Sequence, residues 1–373
     1  MKIPVIVLVV AVLLFGVAPS GSAAATNVYE LPPATHAGPL AVSGSGTVWF
    51  IPERGHEWQG NRSSNIGSVG PEGTVSEETV PGIRFINDVA AGLDGEVWVS
   101  GFDGSHDLFG ERRFEVGLLT PTGGVVDRYS VGNWRGRLRS LAVSGRGVWF
   151  IAQRLTSNGV DTIVRVGAGG ARRRFGIPPK CRAGALAAAP DGTVWFSEKC
   201  GGFVDGGATS KTSLTQIRAN GTMVRHRIAG RDAVVSLTVG KEGTVWFGAC
   251  CSGLSGDRLG RLGRNGGLRE FATRNALPRS LAAGPGGVLS VPWFHHRYPT
   301  RLASIGLDGK RDGPRVCADP TCDLEPQFLT SAPDGSIWFG LRRPNYNTGG
   351  GGSGLYIDEQ IGDEAGFIGH YLP

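Results

Sequence analysis

The chain has 373 residues, of which 61 are Gly and 22 are Pro, with 40% hydrophobic residues, 19% charged residues and a formal net charge of +6. This balance can bury a large core, so it excludes a wholly disordered chain and a collagen-like repeat. Only two Met against nine Trp is typical of short strands and tight turns, and it predicts an all-β fold. The small charge excess, carried mostly by Arg, indicates either anionic partners or a solubilising surface.

The first 25 residues have the pattern of a targeting segment. An apolar run over residues 3–17 follows Met1 and Lys2, and small residues lead from it to Ala25. This order predicts a signal peptide, 1–25, that is cleaved near Ala25, and an uncleaved N-terminal anchor is the alternative. No later segment has the roughly 20 apolar residues of a membrane span, so residues 26–373 are predicted to be an exported domain.

One phrase recurs seven times, in forms such as AVSGSGTVWF and AAAPDGTVWF, with a period of about 48 residues. Each copy indicates two strands joined by a tight turn at Gly, and a second hairpin such as LTQIRANGTMVRHRI follows it. Four-stranded units of this length predict a seven-bladed β-propeller. The predicted blades are centred on the slots Trp49, Trp98, Trp149, Trp195, Trp246, Leu289 and Trp338.

The last repeat is incomplete, since the chain ends at GFIGHYLP, which supplies a third strand but no fourth. Residues 27–32, NVYELP, have the pattern of a fourth strand and precede the first repeat. We therefore expect the N-terminal strand to pair with the C-terminal blade and close the ring, which removes two sheet edges.

Six cysteines lie in the second half of the chain, which is typical of an oxidising compartment. Cys181 and Cys200 are equidistant from the turn near Asp191, so a hairpin would place them opposite each other as a disulfide. Cys317 and Cys322 bracket a short loop and are the second predicted pair. Cys250 and Cys251 are either a vicinal pair or two thiols. A zinc site is disfavoured because the sequence has no C-x-x-C spacing and no interleaved His.

The order of the strands puts variable loops, which join the second strand of each repeat to the third, on one face of the ring. One residue per repeat is expected at the central funnel on that face: Gly38, Asn87, Arg139, Gly184, Val235, Arg279 and Gln327. With Arg342 nearby, this entrance is cationic and suits a carboxylate or phosphate, or else its arginines are simply solvated.

Aromatic and histidine side chains give further candidates. The Trp of the repeated slot is expected to pack in the core, whereas Trp58 and Trp134 fall in predicted loops and are candidate ligand contacts. His295 and His296 lie in another loop, where either could act as a general base or be merely exposed to solvent.

The segments PDGTVWFSE, PDGSIWFG and LGRLGRNGGLREF resemble the repeats of the virginiamycin B lyase (streptogramin lyase) family over about residues 26–373. The resemblance implies a seven-bladed propeller that opens cyclic streptogramin B depsipeptides by elimination, with Mg²⁺, a His base and nearby Glu residues. The family's E-P-H-G-I-T segment is EPQFLT here, so Glu325 matches and Gln327 replaces the His. The expected carboxylate falls at Leu341 or Arg342. Since Gln accepts no proton at neutral pH, the fold carries over but the lyase residues do not.

Two hypotheses follow. In the first, a secreted monomer binds a small anionic ligand or an extracellular partner, not nucleic acid, through Asn87, Arg139, Arg279, Gln327 and Arg342. In the alternative, an enzyme of the lyase or lactone-opening kind uses Glu325 with His295 or His296, and Mg²⁺ is the cofactor implied by the resemblance. Metal-assisted base catalysis would require a His and two carboxylates within about 4 to 6 Å of one point.

Overall fold

The structure is a computed structural model. It describes residues 26–33, 35–53, 64–92, 94–104, 110–120, 123–145, 147–154, 160–189, 191–201, 211–228, 233–250, 257–273, 277–284, 287–293, 303–312, 325–342 and 367–371. The predicted signal peptide, 1–25, lies outside the described residues, as do Trp58, His295, His296, Cys317 and Cys322. No helix among the described residues has the length and apolar content that a membrane crossing requires.

The described residues confirm the all-β prediction. They form strands β1 to β27 and one short 3₁₀ turn at Ala168–Gly170. The strands assemble into antiparallel sheets, five of four strands and one of seven within the described part of the chain.

The repeats follow one another as groups of strands. The chain begins with β1 (Thr26–Glu30) and the strands of the first repeat, β2 (His36–Val42), β3 (Val48–Glu53), β4 (Asn65–Val69) and β5 (Val75–Thr79). The seven-stranded sheet holds the second and third repeats, β6 (Phe85–Ala91), β7 (Val97–Gly104), β8 (Glu111–Leu119), β9 (Val125–Val143), β10 (Gly147–Arg154), β11 (Thr162–Gly167) and β12 (Arg172–Gly176).

The later repeats each contribute to a separate four-stranded sheet. The fourth and fifth comprise β13 (Cys181–Ala188), β14 (Val194–Cys200), β15 (Lys211–Ile217), β16 (Met223–Ile228), β17 (Ala233–Val239), β18 (Val245–Cys250), β19 (Arg258–Leu262) and β20 (Leu268–Ala272). The last two comprise β21 (Leu277–Gly284), β22 (Gly287–Trp293), β23 (Ala303–Gly306), β24 (Arg311–Asp312), β25 (Glu325–Ser331), β26 (Ile337–Arg342) and β27 (Phe367–Tyr371).

A glycine with a positive φ forms the turn between the two strands of each repeated sequence motif. Gly46 has φ 82° and its N–H donates to the Ser43 carbonyl at 3.0 Å, which closes the turn between β2 and β3. Gly192 has φ 84° in the equivalent turn of the fourth repeat. An L side chain is strained in this left-handed region, so the recurring Gly sets the hairpin.

Strand β9 departs from the sequence prediction of separate strands in the second and third repeats. It runs for 19 residues and serves both as the last strand of one repeat and the first strand of the next. Gly132 (φ 136°) and Gly136 (φ 149°) adopt angles that L side chains rarely take, so the chain changes direction within the strand rather than at a loop. Trp134 therefore lies in a strand, and its predicted loop position is wrong.

The core lies between consecutive sheets, and the Trp of the repeated slot fills it. Trp149 packs with Leu186 and Phe196 of the following repeat, and Trp338 of the last repeat packs with Val48 and Phe50 of the first. These aromatic side chains are buried as the sequence predicts, with Trp98 and Trp246 each only 1% exposed. Each Trp removes roughly 150 to 250 Å² from water, which makes this slot a major source of the free energy that holds neighbouring repeats together.

The two ends of the chain meet in one sheet. Strand β1 pairs antiparallel with β27, from Thr26 opposite Tyr371 to Glu30 opposite Phe367. The first strands of the repeats contact one another in chain order, β2, β6, β9, β13, β17, β21 and β25, and β25 contacts β2. The sheets are therefore arranged in a closed circle, which the pairing of β1 completes.

A disulfide joins the first two strands of the fourth repeat. Cys181 lies opposite Cys200 in the register of β13 and β14, and the two side chains are bonded. Cys250 is disulfide-bonded as well.

Candidate functional site

Each first strand shifts its register against the second strand of its repeat, and the residues predicted for the funnel lie at these shifts. Asn87, Val235 and Arg279 each occupy the shifted position, between Ile86 and Asp88, Val234 and Ser236, and Pro278 and Ser280. Gly38, Gly184 and Gln327 lie within the shifts of their strands, and Arg139 lies beside one. A bulge of this kind redirects a side chain, so one place in each repeat is set apart from the ladder.

Two arginines lie close together on β9. Arg137 is opposite Gln153 and Arg139 is opposite Ile151 in the register with β10. The pKa of Arg139 is lowered by burial of its guanidinium and by the charge of Arg137, although much of the side chain remains exposed. The Nε of Arg137 is buried without an acceptor. Among the described residues neither arginine forms an ion pair.

The carboxylate whose charge acts on Arg139 already accepts hydrogen bonds within the protein. Asp161, fully buried, accepts from Arg182 Nη1 at 2.9 Å and from the Ala183 N–H at 3.0 Å. Arg182 also donates to the Arg154 carbonyl at 3.2 Å. Asp161 raises the pKa of Arg139 and so partly opposes the effect of Arg137. Its lone pairs are largely used within the protein, which leaves Arg137 and Arg139 with an incompletely balanced charge.

Asp88 is the acidic group at the register shift of β6. Its Oδ2 accepts from the Leu141 N–H at 2.8 Å and its Oδ1 from the Val89 N–H at 3.0 Å. Burial raises the pKa of Asp88 to about 6, and the two backbone hydrogen bonds oppose that rise. The carboxyl group is next to Asn87 in the chain and changes its charge near neutral pH.

The other predicted site residues are placed only by their backbone or lie outside the described residues. Arg279 is in β21, and Glu325 and Gln327 are in β25, where Glu325 lies opposite Arg342 of β26. His295 and His296 fall outside the described residues. The structure therefore places Asn87 at a register shift and Arg139 beside one, and it leaves the catalytic set of Glu325, His295 and His296 as a prediction.

The position at which the resemblance implies a metal-supporting carboxylate does not fit Mg²⁺. It falls at Leu341, which is 1% exposed, or at Arg342, although Glu325 matches the family. Leu has no donor atom and a guanidinium repels a cation, whereas Mg²⁺ prefers carboxylate oxygens. Among the described residues no group of three or more His, Cys, Asp or Glu side chains is placed to hold a metal ion.

The described loop face contains side chains that the sequence reasoning missed or misplaced. Asp161 had no distinguishing motif, since its partners come from the next repeat. Trp134 stacks on Phe114 with ring centroids 4.2 Å apart, and its Nε1 donates to the Gln153 carbonyl at 3.2 Å. It is therefore a packing residue rather than a free loop aromatic.

Solved structures with a similar fold show to which fold class the chain belongs. The chain matches the β-propeller domain of the Trilobed protease from Pyrococcus furiosus with a TM-score of 0.56 at 8% identity, covering 83% of this chain and 91% of that one. The fold is a β-propeller. This agrees with the circular order of the sheets and with the propeller prediction.

Two further structures match over most of this propeller but are longer. They are the extracellular domain of a one component system from B. thetaiotaomicron (TM-score 0.53, 13% identity, 86% of this chain and 40% of that one) and a puromycin hydrolase (TM-score 0.51, 15% identity, 84% and 51%). The chain spans about 40% of the length of the former. No family model and no curated protein matches the chain, so the resemblance to virginiamycin B lyase stays a prediction.

Proposed function

We propose that this chain is an exported, monomeric, seven-bladed β-propeller, residues 26–373, that binds a small anionic ligand at the loop-face entrance beside Arg137 and Arg139. The observation that carries the proposal is the pair of neighbouring guanidinium groups without an ion pair among the described residues. Two such charges repel each other, and a bound carboxylate or phosphate would remove that repulsion and satisfy the buried Nε of Arg137.

Seven blades are supported by the circular contacts of the first strands, in which β9 supplies both the last strand of the second blade and the first of the third. Export is supported by the Cys181–Cys200 disulfide together with the apolar run over residues 3–17. The blades are those centred on the repeated Trp slot and on Leu289.

The equivalent positions in the other blades decide which ligand fits. Arg279 occupies in β21 the shifted position that Asn87 occupies in β6. A ring of such positions around one axis would set the arginine of the sixth blade against the same ligand as Arg139. Since guanidinium groups bind carboxylate and phosphate oxygens in pairs, we propose a ligand with more than one anionic group.

The lyase alternative requires a different ligand and a base. A streptogramin B depsipeptide would need Glu325 with His295 or His296 to remove a proton. We favour binding because Gln327 stands in place of the family's His and because Leu341 and Arg342 do not fit Mg²⁺.

The test is calorimetric titration of the full exported protein, at low salt, with acetate, succinate, citrate and inorganic phosphate. We expect the multivalent anions to bind and R139Q or R279A to weaken them by roughly 5- to 100-fold, the usual cost of a lost charge-assisted hydrogen bond. R174Q is the matched control, because Arg174 is exposed on β12, away from the entrance. Affinity unchanged in R139Q, or turnover of streptogramin B with Mg²⁺ that R139Q leaves intact, would refute the binding proposal.

A further inference from the structure

A second cationic site lies on the opposite face of the ring, between the third and fourth repeats. A cavity of about 240 Å³ is bounded there by the turn after β9, at Ser144 and Gly145, and by the turns at Gly192 and Gly221. Arg139 and Asp161 are not among the described residues that line it. This turn-face cavity is therefore distinct from the entrance proposed above.

Stacked arginine and aromatic side chains form one wall of the turn-face cavity. Arg165 of β11 is opposite Trp149 on one side and Arg173 of β12 on the other. The guanidinium of Arg165 lies 5.6 Å from the centre of a Trp149 ring, and that of Arg173 lies 4.9 Å from the Phe175 ring. Trp149 and Phe175 stack at 5.3 Å. Like charges directly opposite in a ladder are destabilising, so this row has an electrostatic cost that the aromatic contacts only partly offset.

A third arginine contributes to the lining of the turn-face cavity. Arg218, at the turn after β15, lines the same cavity, and none of the described residues that line it is acidic. In the part of the chain that the structure describes, Arg165, Arg173 and Arg218 form no ion pair. Arg173 donates only to a carbonyl, that of Asn220, at 3.3 Å.

Two of the residues that line the cavity also have buried donors with no acceptor. The side chain of Trp149 is 6% exposed, and its buried Nε1 has no hydrogen-bond partner. The buried Nε of Arg165 likewise has none. Buried donors are nearly always satisfied in native proteins, so two unsatisfied donors beside an unbalanced positive charge indicate that an acceptor with negative charge belongs there.

The fifth repeat has the same stack of arginine and aromatic side chains, but its arginine has a hydrogen-bond acceptor. Arg261 lies 5.7 Å from a Trp246 ring and is opposite Arg269, as Arg165 is opposite Arg173. However, Arg261 Nη1 donates at 2.6 Å to the Leu307 carbonyl of the next repeat. In the third repeat the neighbouring turn adds a further guanidinium, that of Arg218, and its Asn220 carbonyl accepts from Arg173 rather than from Arg165.

We propose that the turn-face cavity binds the anionic head of a small phosphate or sulfate monoester. Arg165 and Arg218 hold the oxygens, and Trp149 Nε1 donates one further hydrogen bond. Three guanidinium groups and an indole suit the three terminal oxygens of such a head better than the two of a carboxylate. The volume is below the roughly 300 to 1,000 Å³ of drug-sized pockets, so the ester's organic part is small.

The test is titration of the full chain with phenyl phosphate, phenyl sulfate, benzoate and benzyl alcohol in chloride-free buffer. We expect saturable binding of phenyl phosphate or phenyl sulfate, at least tenfold tighter than benzoate, and none of benzyl alcohol. R165Q and R218Q should each weaken it by at least tenfold, and R218Q is the safer variant because Arg218 is exposed at a turn. R261Q, in the equivalent stack of the fifth repeat, should leave it unchanged.

An independent readout is the indole N–H resonance of Trp149, identified by its loss in the W149F variant. We expect this resonance to shift on addition of phenyl phosphate in the wild type and in R261Q, but not in R218Q. Benzoate binding as tightly as phenyl phosphate, or phenyl phosphate affinity unchanged in R218Q, would overturn the proposal. Because Trp149 lines the turn-face cavity and Arg139 does not, failure of this resonance to shift is distinguishable from failure of the entrance proposal.

Discussion

The carboxylate of Asp88, in the first strand of the second repeat, accepts a hydrogen bond at 2.8 Å from the N–H of Leu141, which lies in the first strand of the third repeat. Other neighbouring repeats are joined in the same way. Asp161 accepts from the Ala183 N–H, Ser197 Oγ donates to the Val234 carbonyl, and Ser280 Oγ accepts from the Leu329 N–H. The register shifts release backbone groups from their ladders, and a polar side chain of the preceding repeat satisfies each one.

The raised pKa of Asp88 predicts a pH dependence of stability. The pKa rises from 3.8 in the unfolded chain to about 6 in the folded protein, so between these values the folded protein keeps a proton that the unfolded chain releases. The free energy of unfolding should therefore fall as pH rises from 4 to 6, by on the order of 2 to 3 kcal/mol. Asp88→Asn removes this dependence and keeps an acceptor for Leu141. Urea unfolding of both proteins at pH 4, 5, 6 and 7 measures the pH dependence of the free energy of unfolding.

Asp308→Asn is the control for that experiment. Asp308 is exposed, and its pKa is lowered, chiefly by the Lys310 N–H, so its effect on stability lies below pH 4. Parallel stability curves for wild type and Asp88→Asn across pH 4 to 6 would show that Asp88 is not the titrating group.

Neighbouring repeats approach each other closely at Gly184, so a methyl group added there should lower the free energy of unfolding. A Cβ at Gly184 would meet the backbone carbonyl of Val234 and would lie 2.6 Å from Ser197 Oγ. We expect Gly184→Ala to lower the free energy of unfolding by about 1 to 3 kcal/mol, since a backbone carbonyl cannot move aside. Gly176→Ala is the matched control, because nothing lies within 4 Å of its Cβ. Chemical denaturation compares the two, and equal stability would contradict this packing.

Substitution of Tyr29 measures how much the closure of the ring contributes to the free energy of unfolding. Its ring stacks on Trp338 of the last repeat, 5.8 Å away, and lies 2.9 Å from the site of a Cβ on Gly73 of the first. Tyr29→Ala should destabilise the protein by about 1 to 3 kcal/mol, whereas Tyr29→Phe should cost little. Hydrogen exchange should then rise first in β27 and β2. Exchange that rises elsewhere instead would place the weak point of the ring outside this sheet.

The Cys181–Cys200 disulfide closes a segment with a sequence separation of 19. Its removal in the C181A/C200A variant should cost about 3 kcal/mol through greater freedom of the unfolded chain. Mass spectrometry of the unreduced exported protein should find the two cysteines in one linked peptide. Free thiols at both positions would contradict the assignment.

The sequence predicted the features that arise within one repeat. The turn at Gly192, the buried Trp195 and the pairing of Cys181 with Cys200 all follow from local spacing. Features made between repeats were not predictable, because they depend on the angle at which two sheets meet. Asp161 gave no signal of its contact with Ala183, and the donors of Arg165 and Trp149 showed their lack of acceptors only once the neighbouring turn was in place.

Anomalous diffraction from crystals grown in selenate tests anion binding at the entrance, because it locates the anion. We expect a selenium peak about 3 to 4 Å from the guanidinium groups of Arg137 and Arg139, the range of a hydrogen-bonded selenate. The peak should vanish in crystals of R139Q. An ordered Arg139 with no selenium peak beside it, at selenate concentrations that fill other sites, would contradict the claim.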